Sequence, residues 1–264
     1  MNGAVALDPQ RIQEWLKPLN RRTPSLSVER EVDSTNTHLA RLRAAGDAVD
    51  IVIADAQSAG RGRRGRQWIS PPGGGLYLSL FRAFAGPVRR LETLSLVAGL
   101  AATAAIEGCC AIQPGLKWPN DVLIDGRKLA GCLIDLGGHG ACANAIIGIG
   151  INVDFGGLKG PDQPWTDLAG ATGSVPDRNR LAALLIAQLL HDLDRFDAHG
   201  FSPFQARWAD RDALTGREIV AYGPGKSVVQ GQARGVDERG RLLLQASDRL
   251  YRLHGGEVTL RTSR

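Results

Sequence analysis

The sequence predicts an α+β fold, with a mixed-sheet catalytic domain covered by helices over residues 1–212 and a small β-barrel over residues 213–264. Three observations carry this reading. Short apolar runs of strand length alternate with runs at helical spacing as far as His199. From Thr215 the texture changes to short β-like runs with turn residues at close intervals, the pattern of a small barrel. The chain has 264 residues, 43% hydrophobic and 22% charged, an ordinary globular balance that excludes a disordered or fibrous protein.

Each element has a local reason. Asp8-Pro9 supplies a capping carboxylate and a first-turn proline for a helix through RIQEWLKPL. Asp33-Ser34-Thr35-Asn36 opens a second helix, THLARLRAA, which Gly46 stops. DIVIAD (Asp50–Asp55) reads as a buried strand, and LYLSLF (Leu76–Phe81) as another after the breaker Pro71-Pro72-Gly73-Gly74-Gly75. Leu91–Ile106 is a helix of small residues that should be buried on most sides. GLKWPNDVLI, LAGCLIDL and NAIIGIGINV read as three further strands, and Asn179–His199 as a covering helix. In the tail, REIVAY, SVVQGQARGV, RLLLQA and LYRLHGGEVTL are separated by turns at Gly223-Pro224-Gly225, Asp237-Glu238-Arg239-Gly240 and Ser247-Asp248.

Several classes drop out. The stretch Leu94–Ile106 is shorter than the roughly 20 apolar residues a membrane span needs, and MNGAVALDPQ has no secretory pattern, so no membrane partner and a cytoplasmic location are expected. Cys109, Cys110, Cys132 and Cys142 form no CxxC pair, and the histidines no metal-binding spacing, so no metal site is expected and the cysteines read as buried thiols.

The net charge is +5, but its distribution argues against a nucleic-acid face. Residues 56–91 hold seven arginines and no acid, leaving the other 228 residues with 25 basic and 27 acidic side chains. Arg61, Arg63, Arg64 and Arg66, spaced by Gly62 and Gly65, read as a flexible loop built to hold a small anion rather than a surface tracking a duplex. Gly60-Arg61-Gly62-Arg63-Arg64-Gly65 matches the dinucleotide-binding spacing by letters. The context fails, because a Pro/Gly run and a strand follow instead of a helix and a ribose-binding acid. Gly225-Lys226-Ser227 ends like a P-loop, but Val220 stands where its first glycine belongs.

Five motifs then occur in order: Ser34-Thr35-Asn36; Gln57-Ser58-Ala59-Gly60-Arg61-Gly62-Arg63-Arg64-Gly65-Arg66-Gln67-Trp68; Lys117-Trp118-Pro119-Asn120-Asp121; Gly126-Arg127-Lys128-Leu129-Ala130-Gly131; and Gly148-Ile149-Gly150-Ile151-Asn152. Together they resemble the biotin protein ligases, and Gly216–Leu260 resembles the SH3-like C-terminal domain of that family. The resemblance implies an enzyme that activates biotin with ATP and Mg²⁺ as biotinyl-5′-AMP and transfers it to a lysine of a biotin carboxyl carrier protein domain of a carboxylase. It implies catalytic roles for Lys128, Arg63 and Asp121. It also implies contacts to biotin or its adenylate from Ser34, Thr35, Asn36, Gln57, Arg61, Gly62, Arg63, Trp68, Asn120, Lys128, Gly131, Gly150 and Asn152. With 32 residues before Asp33, the resemblance is to the ligase-only form without an N-terminal DNA-binding domain, so no specific DNA partner is expected; a homodimer is left open.

The chemistry of these residue types agrees. A carboxylate attacking the α-phosphate of ATP must approach another anion, so cations have to offset the repulsion and hold the two in line. Arginine's planar fork suits carboxylate and phosphate contacts, and interspersed glycines let the backbone close over the ligand. Ser34, Thr35 and Asn36 carry the donors and acceptors that a ureido ring requires. Asp121 is expected to orient the incoming lysine, while Trp118 reads as a core aromatic. Two rivals stay open at this level: a lipoate protein ligase, with the same adenylate chemistry, and an Arg-rich nucleic-acid-binding module.

Overall fold

A computed structural model describes residues 5–19, 24–139, 142–158, 160–161, 163–222, 228–255 and 259–262. The expected turn at Gly223-Pro224-Gly225 and the Gly225-Lys226-Ser227 run lie outside these residues.

Helix α1 (Pro9–Leu16) starts where Asp8 accepts the amides of Gln10 and Arg11. It is followed by β1 (Leu26–Val32), α2 (Thr35–Ala44), β2 (Ile51–Gln57), β3 (Gly75–Ala85), α3 (Leu94–Cys110), β4 (Gly115–Lys117), β5 (Asp121–Ile124), β6 (Arg127–His139) and β7 (Cys142–Asn152). Beyond these come α4 (Leu168–Thr172), α5 (Arg178–His199), α6 (Gln205–Ala209), β8 (Glu218–Tyr222), β9 (Val228–Val236), β10 (Leu242–Ala246), β11 (Arg249–Leu253) and β12 (Thr259–Thr262). Among the described residues, seven strands form one sheet in the order β1-β2-β3-β7-β6-β5-β4, and five form a second in the order β11-β10-β9-β8-β12. Only the β1–β2 pair is parallel, which makes the first sheet mixed. The short antiparallel strands of the second make up the SH3-like C-terminal module.

Three differences from the sequence reading have physical causes. LSVEREV forms β1 although it carries three charged side chains, because it lies at the sheet edge, where only one neighbour, β2, fixes it. GLKWPNDVLI is two strands, β4 and β5, since Pro119 has no N–H to donate and Trp118-Pro119-Asn120 turns the chain back. Cys132 is buried, but Cys109 and Cys110 are half-buried at the end of α3, and Cys142 is exposed at the start of β7.

The period of two along the strands divides the main sheet into two faces. Ile51, Ile53, Leu76, Leu78, Leu80, Ile147, Ile149 and Ile151 point to one side, into a core with α1, α3 and α5. Each fully buried side chain of this kind contributes about 1.5–3 kcal/mol relative to exposure. Helix α3 can sit close because it is built from small residues; a Cβ at Gly99 would stand 3.1 Å from Leu116. The opposite face is covered partly by α2, whose Leu39 packs on Val52 and Ile146. The remainder of that face, carrying Tyr77, Ser79, Gly131, Leu133, Asp135, Gly148 and Gly150, is where the cavity lies.

Candidate active site

The cavity, about 460 Å³, is lined by all fourteen side chains and glycines singled out in the sequence. Thr35 and Asn36 open α2 on its floor. The Thr35 amide donates to Gln57 Oε1 at 2.9 Å, and Gln57 Nε2 donates to Ser70 Oγ at 2.8 Å. Asn36 is more fully engaged. Its Nδ2 donates to Asp135 Oδ2 at 3.0 Å and to the Leu133 carbonyl at 3.4 Å, and its Oδ1 accepts from Ser79 Oγ at 2.6 Å. The floor is thin beneath it, because a Cβ at Gly148 would lie 2.2 Å from Asn36 Oδ1. Ser34 stands at the N-cap of α2 without a side-chain capping bond and lines the cavity beside Thr35.

The arginine segment is a small hairpin rather than an open loop. Arg61 bridges Gln67, Gly62 N donates to the Arg66 carbonyl at 2.7 Å, and Trp68 N donates to the Gly60 carbonyl at 2.9 Å. Arg64 and Gly65 turn its tip in the left-handed region, at φ 58° and 72°. From this hairpin, Arg61 pairs with Asp135 at 2.9 Å. Arg63 Nη1 donates to Asn120 Oδ1 at 3.2 Å, and its Nη2 donates to the Gly255 carbonyl of the C-terminal module. Burial pulls the Arg63 guanidinium below its ordinary pKa, Arg64 adds to this and Asp121 opposes it. A cation short of solvent and next to another cation is a receptor for an anion.

Trp68 lies flat on the sheet. Gly131 and Gly150 face each other across β6 and β7, and a Cβ on Gly150 would stand 2.6 Å from the indole. Lys128 Nζ sits 5.2 Å from the same ring and 2.6 Å from Asp121 Oδ1. Trp68 Nε1 is buried with no acceptor among the described residues. Asn152 Nδ2 donates to the Thr166 carbonyl at 2.9 Å, tying β7 to the segment that brings Trp165 to the cavity. Trp165 packs on Phe155 at 4.9 Å between ring centroids, and both line the cavity with Gln163 and Lys117.

Residues the sequence reading did not single out are therefore Ser79, Asp135, Tyr77, Lys117, Phe155, Gln163 and Trp165. For Ser79 and Asp135 a signal existed: each is a polar residue set among apolar ones in a strand, at a position sharing its face with a site glycine. Among the described residues there is no group of three or more His, Cys, Asp or Glu side chains placed to hold a metal ion.

A polar floor, a wall of cations and a flat aromatic shelf in one cleft define a site for an organic acid brought against a phosphate. Residues 28–152 match the biotin/lipoate A/B protein ligase family and residues 215–261 the biotin protein ligase C-terminal domain. The Escherichia coli bifunctional ligase/repressor BirA is 38% identical over 243 residues, 90% of this chain and 75% of that protein. The biotin–[acetyl-CoA-carboxylase] ligase of Mycobacterium tuberculosis is 33% identical across 96% of this chain and 95% of its own length. Among solved structures, the Aquifex aeolicus biotin protein ligase in complex with biotin and ATP superposes with a TM-score of 0.78 at 31% identity, covering 91% of this chain and all of that one. The chain belongs to the biotin protein ligase family.

Proposed function

We infer that this chain is a biotin protein ligase that makes biotinyl-5′-AMP from biotin and ATP and passes the biotinyl group to a lysine of a biotin carboxyl carrier domain. The observation that carries the reading is the convergence of Arg61, Arg63 and Lys128 on a cavity whose floor is Ser34, Thr35 and Gln57. The ureido ring binds at the floor, and the acid end reaches the cations. A biotin carboxylate oxygen then attacks the α-phosphorus, the bond to the bridging oxygen breaks, and pyrophosphate leaves. Lys128 and Arg63 offset the charge on the α-phosphate while the bond forms. In the second step the acceptor amine attacks the acyl carbon, AMP departs, and the amine gives up a proton.

Asp121 serves the second step in this reading. It holds Lys128 before ATP arrives and orients the acceptor amine once Lys128 has turned to phosphate. Trp68, on its glycine shelf, covers the adenylate against water. Among the described residues no three-residue cluster of carboxylate, cysteine or histidine side chains is placed to hold a metal, and in this reading Mg²⁺ would come with ATP, the phosphates supplying most of its ligands. A cytoplasmic location, a carboxylase as the acceptor's parent and the absence of a specific DNA partner belong to the same reading. Calorimetric titration with biotin, with and without ATP, followed by assay of biotin-dependent pyrophosphate release, tests it. Release driven by lipoate and not by biotin would overturn it, and a salt-resistant, sequence-selective gel shift would overturn its DNA clause.

A further inference from the structure

We propose that Asp135 is a positioning residue that fastens the arginine hairpin to the cavity floor and so fixes where Arg61 meets the anionic end of the ligand. This rests on the ligase reading above. Asp135 lies on the cavity face of β6, paired in register with Ile146 of β7. Its Oδ2 accepts from Asn36 Nδ2 at 3.0 Å and from Arg61 Nη1 at 2.9 Å, and its Oδ1 accepts from Arg61 Nη2 at 3.3 Å. One carboxylate thus grips a floor residue and a hairpin residue together.

The floor end of this link is rigid. Ser79, fully buried, holds Asn36 Oδ1 at 2.6 Å and stands 2.7 Å from Thr35 Oγ1, while Gly148 leaves no room for the amide to drop. A continuous line of hydrogen bonds therefore runs from Thr35 through Ser79, Asn36 and Asp135 to Arg61. The hairpin end needs such an anchor. Arg61, Arg63, Arg64 and Arg66 crowd four like charges into six residues, and their repulsion favours an open, splayed loop. Asp135 opposes that charge at the stem. Arginine has five N–H donors in a fixed fork, so Arg61 keeps donors for a ligand while Asp135 holds its other edge. Asp135 acts through Arg61 and not on the reacting atoms.

Two measurements on the full chain decide the matter. The first needs no substrate: in limited tryptic digestion, Asp135→Ala is expected to be cut within the hairpin about five-fold faster than the parent, and Asp135→Glu to return to within about two-fold, since an exposed bidentate pair is worth about that much. Unchanged cleavage, or no rescue by Glu, overturns the proposal. The second is kinetic: Asp135→Ala is expected to raise the biotin KM about ten-fold while the kcat of pyrophosphate release stays within about three-fold, and to add less than about two-fold once Arg61→Ala is present. Effects of the two substitutions that multiply, or a fall in kcat at unchanged KM, overturn it as well. A parent enzyme without biotin-dependent pyrophosphate release would refute the ligase reading, whereas the digestion result stands on its own.

Discussion

Lys128 Nζ and Asp121 Oδ1 meet at 2.6 Å across the turn that joins β5 to β6, with about a fifth or less of either side chain exposed. In the proposed mechanism the pair joins the cation that serves adenylate formation to the carboxylate that serves the acceptor amine. Under that mechanism each would exchange partners during turnover, so the two substitutions should separate the half-reactions. Lys128→Ala is expected to cut biotin-dependent pyrophosphate release by about 100-fold or more with the fold retained. Asp121→Asn should leave that release within about five-fold and slow transfer from preformed adenylate to the acceptor about ten-fold or more. Equal losses in both half-reactions for both variants would show that the pair works as one unit.

Gly150 has no room for a methyl group under the Trp68 indole, with 2.6 Å from a built Cβ to the ring. Gly150→Ala should lift Trp68 from the sheet, destabilise the fold by about 1–3 kcal/mol and weaken ligand binding. Combining it with Trp68→Ala removes the clash, so the stability loss of the pair should be less than the sum of the two singles. Additive losses, measured by denaturant unfolding, would mean that the ring does not rest on that strand.

Arg63 is held at both ends, by the Asn120 side chain and by the Gly255 carbonyl. Arg63→Gly should therefore loosen the hairpin more than it impairs activation, since Arg61 and Lys128 stay at the site. The expected result is release of biotinyl-AMP into solution and biotinylation of lysines on unrelated proteins, read by mass spectrometry of a mixed protein sample. A variant that forms no adenylate would make Arg63 a catalytic group first.

Asp212, at the passage into the C-terminal module, accepts hydrogen bonds from Leu214 N and Thr215 Oγ1, both at 2.8 Å, yet burial raises its carboxyl above the usual range. A carboxyl whose folded pKa lies above its unfolded value weakens the fold when ionised. That penalty is present at neutral pH and relieved as pH falls through the folded pKa toward the unfolded value near 3.8. Asp212→Asn should thus gain in Tm relative to the parent at pH 7, and the gain should shrink as the pH is lowered toward about 4. A pH-independent difference between the two would assign the effect to hydrogen bonding alone.

Much of this was legible from residue order. Asp8-Pro9 and the leucine-rich run after Asn179 announce α1 and α5 through capping and periodicity, which are local properties. NAIIGIGINV shows its function in its alternation: Ile147, Ile149 and Ile151 go to the core, leaving Gly148 and Gly150 for the cavity. Edge strand β1 was illegible because its charged side chains are tolerated only by a position that the sequence does not state. Ser79 and Asp135 escaped for a related reason. A lone polar residue inside an apolar strand has meaning only once the neighbouring strand shows which face it occupies. Trp165 reaches the cavity through the backbone pairing of Thr166 N with the Lys128 carbonyl, a contact between segments nearly forty residues apart.

The indole N–H of Trp118 donates to the Gly240 carbonyl at 3.0 Å, and Gly255 rests against Pro119. Both acceptor and prop belong to the C-terminal module, while Trp118 and Pro119 lead directly into Asn120 and Asp121. A chain severed ahead of β8 would leave that buried donor without an acceptor, at a cost of about 1–3 kcal/mol, and would bare the apolar surface beneath it. The severed pieces would each lack what the other holds, so they should recombine when mixed, and ligation activity would report their union. The module braces the Trp118-Pro119 turn beside the cavity as a keystone braces an arch.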